Sequence, residues 1–304
     1  MNNLMQPYDD ALQEILDQGV ERTNDRTKIK TLSVFGMMRR YRLNGEYFPI
    51  LTRRKVWPKS VWSELLWFIS GSTSNKDLEE LGCKFWRPWV DEKFTKKHGY
   101  ADETFGPVYG YQLRHFGGAY GNGIGGIAGT QSDTTPNNVA PGYYGSGGFD
   151  QLKWVVERIK QDHSCRRTLW TLWNPQDVAK MKLPPCHMLS QILVDDERRL
   201  SLIMYQRSCD FPVGVPANIQ FYSTLACMIA QQTDCTPHEF IHFTADSHIY
   251  WDQIDLVKEY LASPEMPSPK VKINKAEDIF SYKLEDFELI DFETGPKLDF
   301  PVAV

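Results

Sequence analysis

The chain has 304 residues, of which 41% are hydrophobic, 13% aromatic and 24% charged, so it can bury a substantial core, and disorder, collagen and a coiled coil are excluded. A formal net charge of -5 excludes a chain-wide electrostatic surface for DNA, so an anionic ligand must be met by a local cluster of cations. Six cysteines without C-x-x-C spacing argue against a disulfide scaffold and against structural zinc, and no metal is expected. With no basic segment followed by an apolar core at the N-terminus, and no run of about 18 apolar residues, a cytoplasmic chain with reduced thiols and no membrane partner is expected.

Apolar residues at helical spacing predict a first helix over 8–22, through Leu12, Ile15, Leu16 and Val20. A strand follows over 31–43, interrupted at Gly36, and then a second helix over 59–69. That helix is apolar on most sides yet carries Glu64, a carboxylate that needs a partner or a task. Between 116 and 148 glycine dominates, which reads as an exposed insertion loop within one domain spanning 1–304. Helical periodicity resumes at 151–159, and strands are predicted at 168–173, 188–194 and 200–207. A nearly uncharged helix over 217–233 should be buried at the centre. A strand at 240–244, a helix over 249–261 and short C-terminal strands complete an α+β pattern.

Four segments can carry chemistry. Cys186 follows two prolines in L-P-P-C-H, and arginines at 166, 167 and 207 could supply the positive charge that activates a thiol; the alternative is a small buried hydrophobe. Arginines also stand in polar settings at Arg26, at Arg166 and Arg167, and at Arg207 beside Ser208. Their convergence would make a phosphate site, and their separation would leave surface ion pairs. In the 210–218 segment, Asp210 through Gly214 to Asn218, glycine and prolines bring a loop close to something. Asn218 is either a helix cap or a donor and acceptor matched to the edge of uracil. His248 and Tyr250 share one side if their segment is extended.

Together these blocks resemble the folate-dependent thymidylate synthase family, which includes pyrimidine hydroxymethylases. The resemblance is carried in order by N-D-R-T (24–27), E-L-L-W-F (64–68), G-P-V-Y-G (106–110), S-C-R-R (164–167), L-P-P-C-H (183–187), Y-Q-R-S-C-D (205–210), G-V-P-A-N (214–218) and D-S-H-I-Y (246–250). It implies a large twisted mixed sheet packed by helices, one sheet face forming the interface of a homodimer. It also implies dUMP as substrate, 5,10-methylenetetrahydrofolate as cosubstrate, and Cys186 attacking carbon 6 of uracil. Arg26, Arg207 and Ser208 would hold the phosphate with Arg166 and Arg167 from a second subunit. Asn218 would read uracil, and His248 and Tyr250 the sugar. Glu64 and Tyr109 would serve proton transfers, while Asp210, Gly214, Arg54, Trp86 and the C-terminal Val304 would serve the folate.

Departures concentrate around the nucleotide and folate walls: Lys28-Ile29-Lys30 for a glycine-bearing turn, Ala217 for phenylalanine, Thr244-Ala245 for paired glycines, and Trp251-Asp252-Gln253 for a Ser-Asn-His type sequence. Hydride capture shielded from water by Trp86 and the C-terminal tail, giving dTMP, is the expected outcome; capture by water, giving the hydroxymethyl nucleotide, and a noncatalytic nucleotide- or RNA-binding relative are the alternatives.

Overall fold

The first helix, α1 (Gln6–Gln18), has Pro7 in its opening turn and buries Tyr8, Leu12 and Ile15. It stops at Gly19, and the β-branched Val20 begins strand β1 (Val20–Thr23), so the expected helix to residue 22 ends four residues early and Val20–Thr23 pair with β2 instead. This is a computed structural model that describes residues 3–25, 28–120 and 147–303. Of the expected insertion, 121–146 lie outside the described residues, as do Arg26 and Val304. The described flanks of the insertion meet in a bridge between Phe116 and Phe149, whose N–H and C=O groups pair at 3.0 and 2.9 Å.

β2 (Lys30–Arg42) is followed by α2 (Pro58–Ser70), α3 (Asn75–Glu80), α4 (Glu92–His98), α5 (Tyr109–Arg114) and α6 (Gln151–Gln161). Next come β3 (Leu169–Thr171), β4 (His187–Val194), β5 (Arg199–Asp210), α7 (Gly214–Gln232), β6 (Thr236–Tyr250), α8 (Ile254–Ala262), β7 (Lys270–Ile273) and β8 (Phe287–Ile290). Six strands form one mixed sheet in the order β1-β2-β6-β5-β4-β3, in which only β5 and β6 run parallel; β7 and β8 pair separately. The parallel pair needs a crossover, and α7 supplies it. Buried on almost every side, α7 lies between the sheet and α2, where the Trp62 indole N–H donates to Thr224 Oγ1 at 3.2 Å and Gln220 Nε2 to the Pro58 carbonyl at 2.8 Å.

β6 runs farther than the expected strand, to Tyr250, and α8 starts five residues later than expected, at Ile254. The sequence from Asp246 to Tyr250 is thus extended, held between β2 and β5, and His248 and Tyr250 do face one side, with ring centroids 5.1 Å apart. In place of a glycine-bearing turn after residue 27, Lys28 takes φ +57° and donates its N–H to Asn24 O at 2.9 Å, so the turn is kept in a left-handed conformation by a residue with a Cβ.

Gly36 sits in β2 at φ +86°, where the register to β6 passes from Phe35↔Asp246 to Met37↔Thr244. A methyl group there meets no atom within 4 Å, so Gly36→Ala should cost only the backbone strain, about 1 kcal/mol. The expected readout is a lower urea midpoint at unchanged slope; an unchanged midpoint would show that the kink does not depend on glycine.

Candidate active site

A cavity of about 840 Å³ opens at the end of β5 and β6 against the first turns of α7 and the middle of α2. Cys186 lies in its wall, immediately before β4. The two preceding prolines fix their own φ angles, and Arg207 braces their carbonyls: its Nε donates to Pro185 O at 2.9 Å and an Nη to Pro184 O at 2.8 Å. The guanidinium also lies 5.4 Å from the Trp173 ring, and the Arg207 N–H bonds the Cys186 carbonyl at 2.9 Å. A cysteine so held presents its sulfur in one place, with a permanent positive charge beside the same cavity.

The Cys186 N–H donates to the Tyr109 hydroxyl at 2.8 Å. Burial pushes the Tyr109 phenol far above its ordinary pKa, so its proton stays on the oxygen at neutral pH and is free to bond into the cavity. Glu64 reaches the same space from α2. Burial raises its pKa to about 7, an effect partly offset by the Trp86 indole N–H, which donates to Oε1 at 2.5 Å. A carboxyl titrating near neutrality holds and releases a proton with equal ease, which suits general acid–base chemistry. Trp86 is itself fixed by ring contacts with Trp67 at 5.3 Å, Phe105 at 5.0 Å and Tyr109 at 5.6 Å.

Asn218 does not cap α7: the helix begins at Gly214, four residues earlier, and Asn218 lies one turn inside it facing the cavity. Its Oδ1 accepts from Gln206 Nε2 at 3.1 Å, and the same Gln206 nitrogen donates to Ser208 O at 3.2 Å. Gln206 Oε1 accepts from His242 Nε2 at 2.9 Å; burial lowers the His242 pKa to about 3, so the ring is neutral and serves as donor. A backbone carbonyl thus fixes Gln206, Gln206 fixes the Asn218 oxygen, and the Asn218 amide also bonds the buried His187 ring. Nothing local in the sequence marks Gln206 or His242, because their partners are 12 and 36 residues away.

A model described as thymidylate synthase matches residues 6–304. The thymidylate synthase of Saccharomyces cerevisiae is 38% identical over 313 residues, covering 100% of this chain and 98% of its own length. That of Malacoplasma penetrans is 35% identical over 302 residues, covering 99% and 100%. The chain belongs to the thymidylate synthase family. A bifunctional dihydrofolate reductase-thymidylate synthase from Zea mays is 38% identical over 98% of this chain, which spans 54% of that longer protein.

The family's folate has a place to fit. Phe85, Trp86 and Trp89 line the cavity together with Val213 and Gly214, and Asp210 brings a buried carboxyl to it. Burial raises the Asp210 pKa to about 6. Ala217 lines the same cavity with only a methyl group, while Thr244, buried in β6, accepts the Ser247 hydroxyl at 2.7 Å.

Most of the expected site residues converge on this cavity: Ser208, His248 and Tyr250 join those described above. Arg54 does not line it; buried behind the 210–214 loop, it donates to Pro212 O at 2.7 Å and lies 4.9 Å from the Phe300 ring. Arg166 and Arg167 are exposed beside β3, outside the lining of their own chain's cavity. Among the described residues no group of three His, Cys, Asp or Glu side chains is placed to hold a metal, and no helix is long and apolar enough to cross a membrane.

Proposed function

We infer that the cavity converts dUMP to dTMP, with Cys186 as nucleophile and 5,10-methylenetetrahydrofolate as cosubstrate. The reading is carried by the convergence on one cavity of Cys186, Glu64, Tyr109 and Asn218, four groups that binding alone does not require together. The Cys186 sulfur bonds to carbon 6 of uracil, and the electron pair released makes carbon 5 nucleophilic. When bound, the folate supplies both the one-carbon unit and the hydride that completes the methyl group. Glu64, through water that the Tyr109 hydroxyl helps to hold, accepts the proton lost from carbon 5, and the sulfur–carbon 6 bond breaks as the ring recovers its double bond.

Asn218 donates its NH₂ to the uracil carbonyl and accepts the ring N–H, in the orientation that Gln206 imposes. His248 and Tyr250 hold the sugar hydroxyl. Ser208 and the free Nη of Arg207 take the phosphate, joined by Arg26 and by Arg166 and Arg167 of the partner subunit. Asp210 and Gly214 hold the pteridine against Trp86. Arg54 serves the folate end from behind the 210–214 loop, holding Pro212 O and facing Phe300, and Val304 ends the tail whose Val302 and Ala303 line the cavity. The six unpaired cysteines support a cytoplasmic setting.

The homodimer is supported by the sheet face opposite α7. Met38, Phe243, Tyr205 and Leu189 are successive partners across β2, β6, β5 and β4, and each is 38–41% exposed, so one row of apolar side chains crosses four strands uncovered. Leu193, at 59% exposed and four residues along β4 from Leu189, extends the patch. A second copy covers this face and brings Arg166 and Arg167 to the neighbouring phosphate. Mixing Arg166→Ala with Cys186→Ser protein should therefore restore activity, because one site of the hybrid carries both defects and the other neither. Failure to complement after proven subunit exchange would keep the arginines in their own chain's site.

The overall reaction is tested by product analysis. dUMP and methylenetetrahydrofolate should yield dTMP with one dihydrofolate per nucleotide. Hydroxymethyl-dUMP with tetrahydrofolate and no dihydrofolate would assign water, rather than hydride, to the final capture.

A further inference from the structure

Gln253 touches three separate parts of the site. It is fully buried in the turn between β6 and α8. Its Oε1 accepts the Tyr250 N–H at 3.0 Å, and because a backbone N–H can only donate, the amide is fixed with its NH₂ on the other side. That NH₂ donates to Pro301 O at 2.9 Å and forks between the two Asp210 carboxylate oxygens at 3.2 and 3.3 Å. Arg54 makes a second bridge of the same kind: its guanidinium faces the Phe300 ring of the tail and donates to Pro212 O in the loop that begins at Asp210. Two side chains far apart in sequence thus each tie the C-terminal tail to the 210–214 loop.

We propose that Gln253 is a positioning residue that seats the C-terminal tail and Asp210 as one unit, with Arg54 as the second tie. The inference rests on the assignment of Asp210 and the tail to the folate end of the cavity. Either tie alone holds the tail at one point; together they fix both Phe300 and Pro301, and so the approach of Val302 and Ala303 to the cavity. A donor is required at position 253 on two sides at once, and a carboxylate, which keeps the acceptor for Tyr250, supplies none and places an anion against Asp210.

The test compares wild type with Gln253→Glu and with Gln253→Met, which keeps the bulk without the added charge. Two readouts are followed: steady-state constants for methylenetetrahydrofolate with the dissociation constant for dUMP, and the rate at which carboxypeptidase Y removes tail residues with and without dUMP plus a nonreactive folate. Both variants should raise KM for the folate about tenfold, as expected for loss of one fixed hydrogen bond, with the dUMP constant within about twofold of wild type. Their tails should be trimmed at the same rate with and without ligands, whereas those ligands slow trimming of the wild type. Variants that keep wild-type folate KM and ligand protection would overturn the coupling. Loss of dUMP affinity in proportion to folate KM would also overturn it, because Gln253 would then act on the whole site through stability. If the wild type itself showed no protection and no folate dependence, the assignment of the folate end would fail instead.

Discussion

Replacing Cys186 by serine is expected to lower turnover by at least about 10³-fold, because a hydroxyl is a far weaker nucleophile at neutral pH than a sulfur. Affinity for dUMP should persist. The brace that shapes the Cys186 loop runs from Arg207 to the carbonyls of Pro184 and Pro185, and the Asn218 amide is fixed by Gln206; neither uses the sulfur. Equilibrium dialysis with dUMP and steady-state rates separate the two effects. A serine variant that turns over at the wild-type rate would remove the covalent step, and one that loses dUMP would place Cys186 in binding instead.

Glu64→Gln should lower activity by about 10²–10⁴-fold and at the same time stabilise the fold in a pH-dependent way. Burial raises the Glu64 pKa from 4.5 to about 7, so the folded state holds a proton that the unfolded chain has already released over that interval. Below pH 4.5 the carboxyl is protonated in both states and contributes no penalty; the penalty grows as pH rises and is complete above about 7. At full strength it is about 3 kcal/mol, which glutamine removes while keeping an acceptor for the Trp86 indole. Denaturation of the two proteins at pH 4 should coincide, and at pH 8 the variant should be the more stable. A stability difference independent of pH would mean that Glu64 is not held against its own ionisation.

Long periodic elements were legible in the sequence. α2 and α7 emerge within a few residues of their predicted bounds because their apolar positions recur over three or more turns, and β5 because its side chains alternate. The short α3 and α5, of 6 residues each, carry too few turns to show a period, although α5 bears Tyr109. Val20 fits the period of α1 and still leaves it, because Gly19 ends the helix and pairing with β2 decides the rest. Ile249 continues an apolar helical spacing and so reads as the start of a helix over 249–261, whereas its backbone completes the ladder between β2 and β6.

For the site, the residues that meet substrate were legible through the blocks that carry them, and the bonds that hold them were not, even where, as with Gln206, the holding residue stands inside a block. Gln206, His242 and Gln253 act through hydrogen bonds to partners 12, 36 and 48 residues away, a relation with no sequence period. Arg54 was expected at an anionic ligand, and its guanidinium is engaged with Pro212 and Phe300, contacts that depend on where the tail returns.

The most direct measurement is peptide mass mapping of the protein quenched with acid during turnover of dUMP. The account predicts a nucleotide-bearing peptide that contains Cys186, present in the wild type and absent from Cys186→Ser. Rapid turnover with every Cys186 peptide unmodified at all quench times, or a nucleotide carried on one of the other five cysteines, would contradict it.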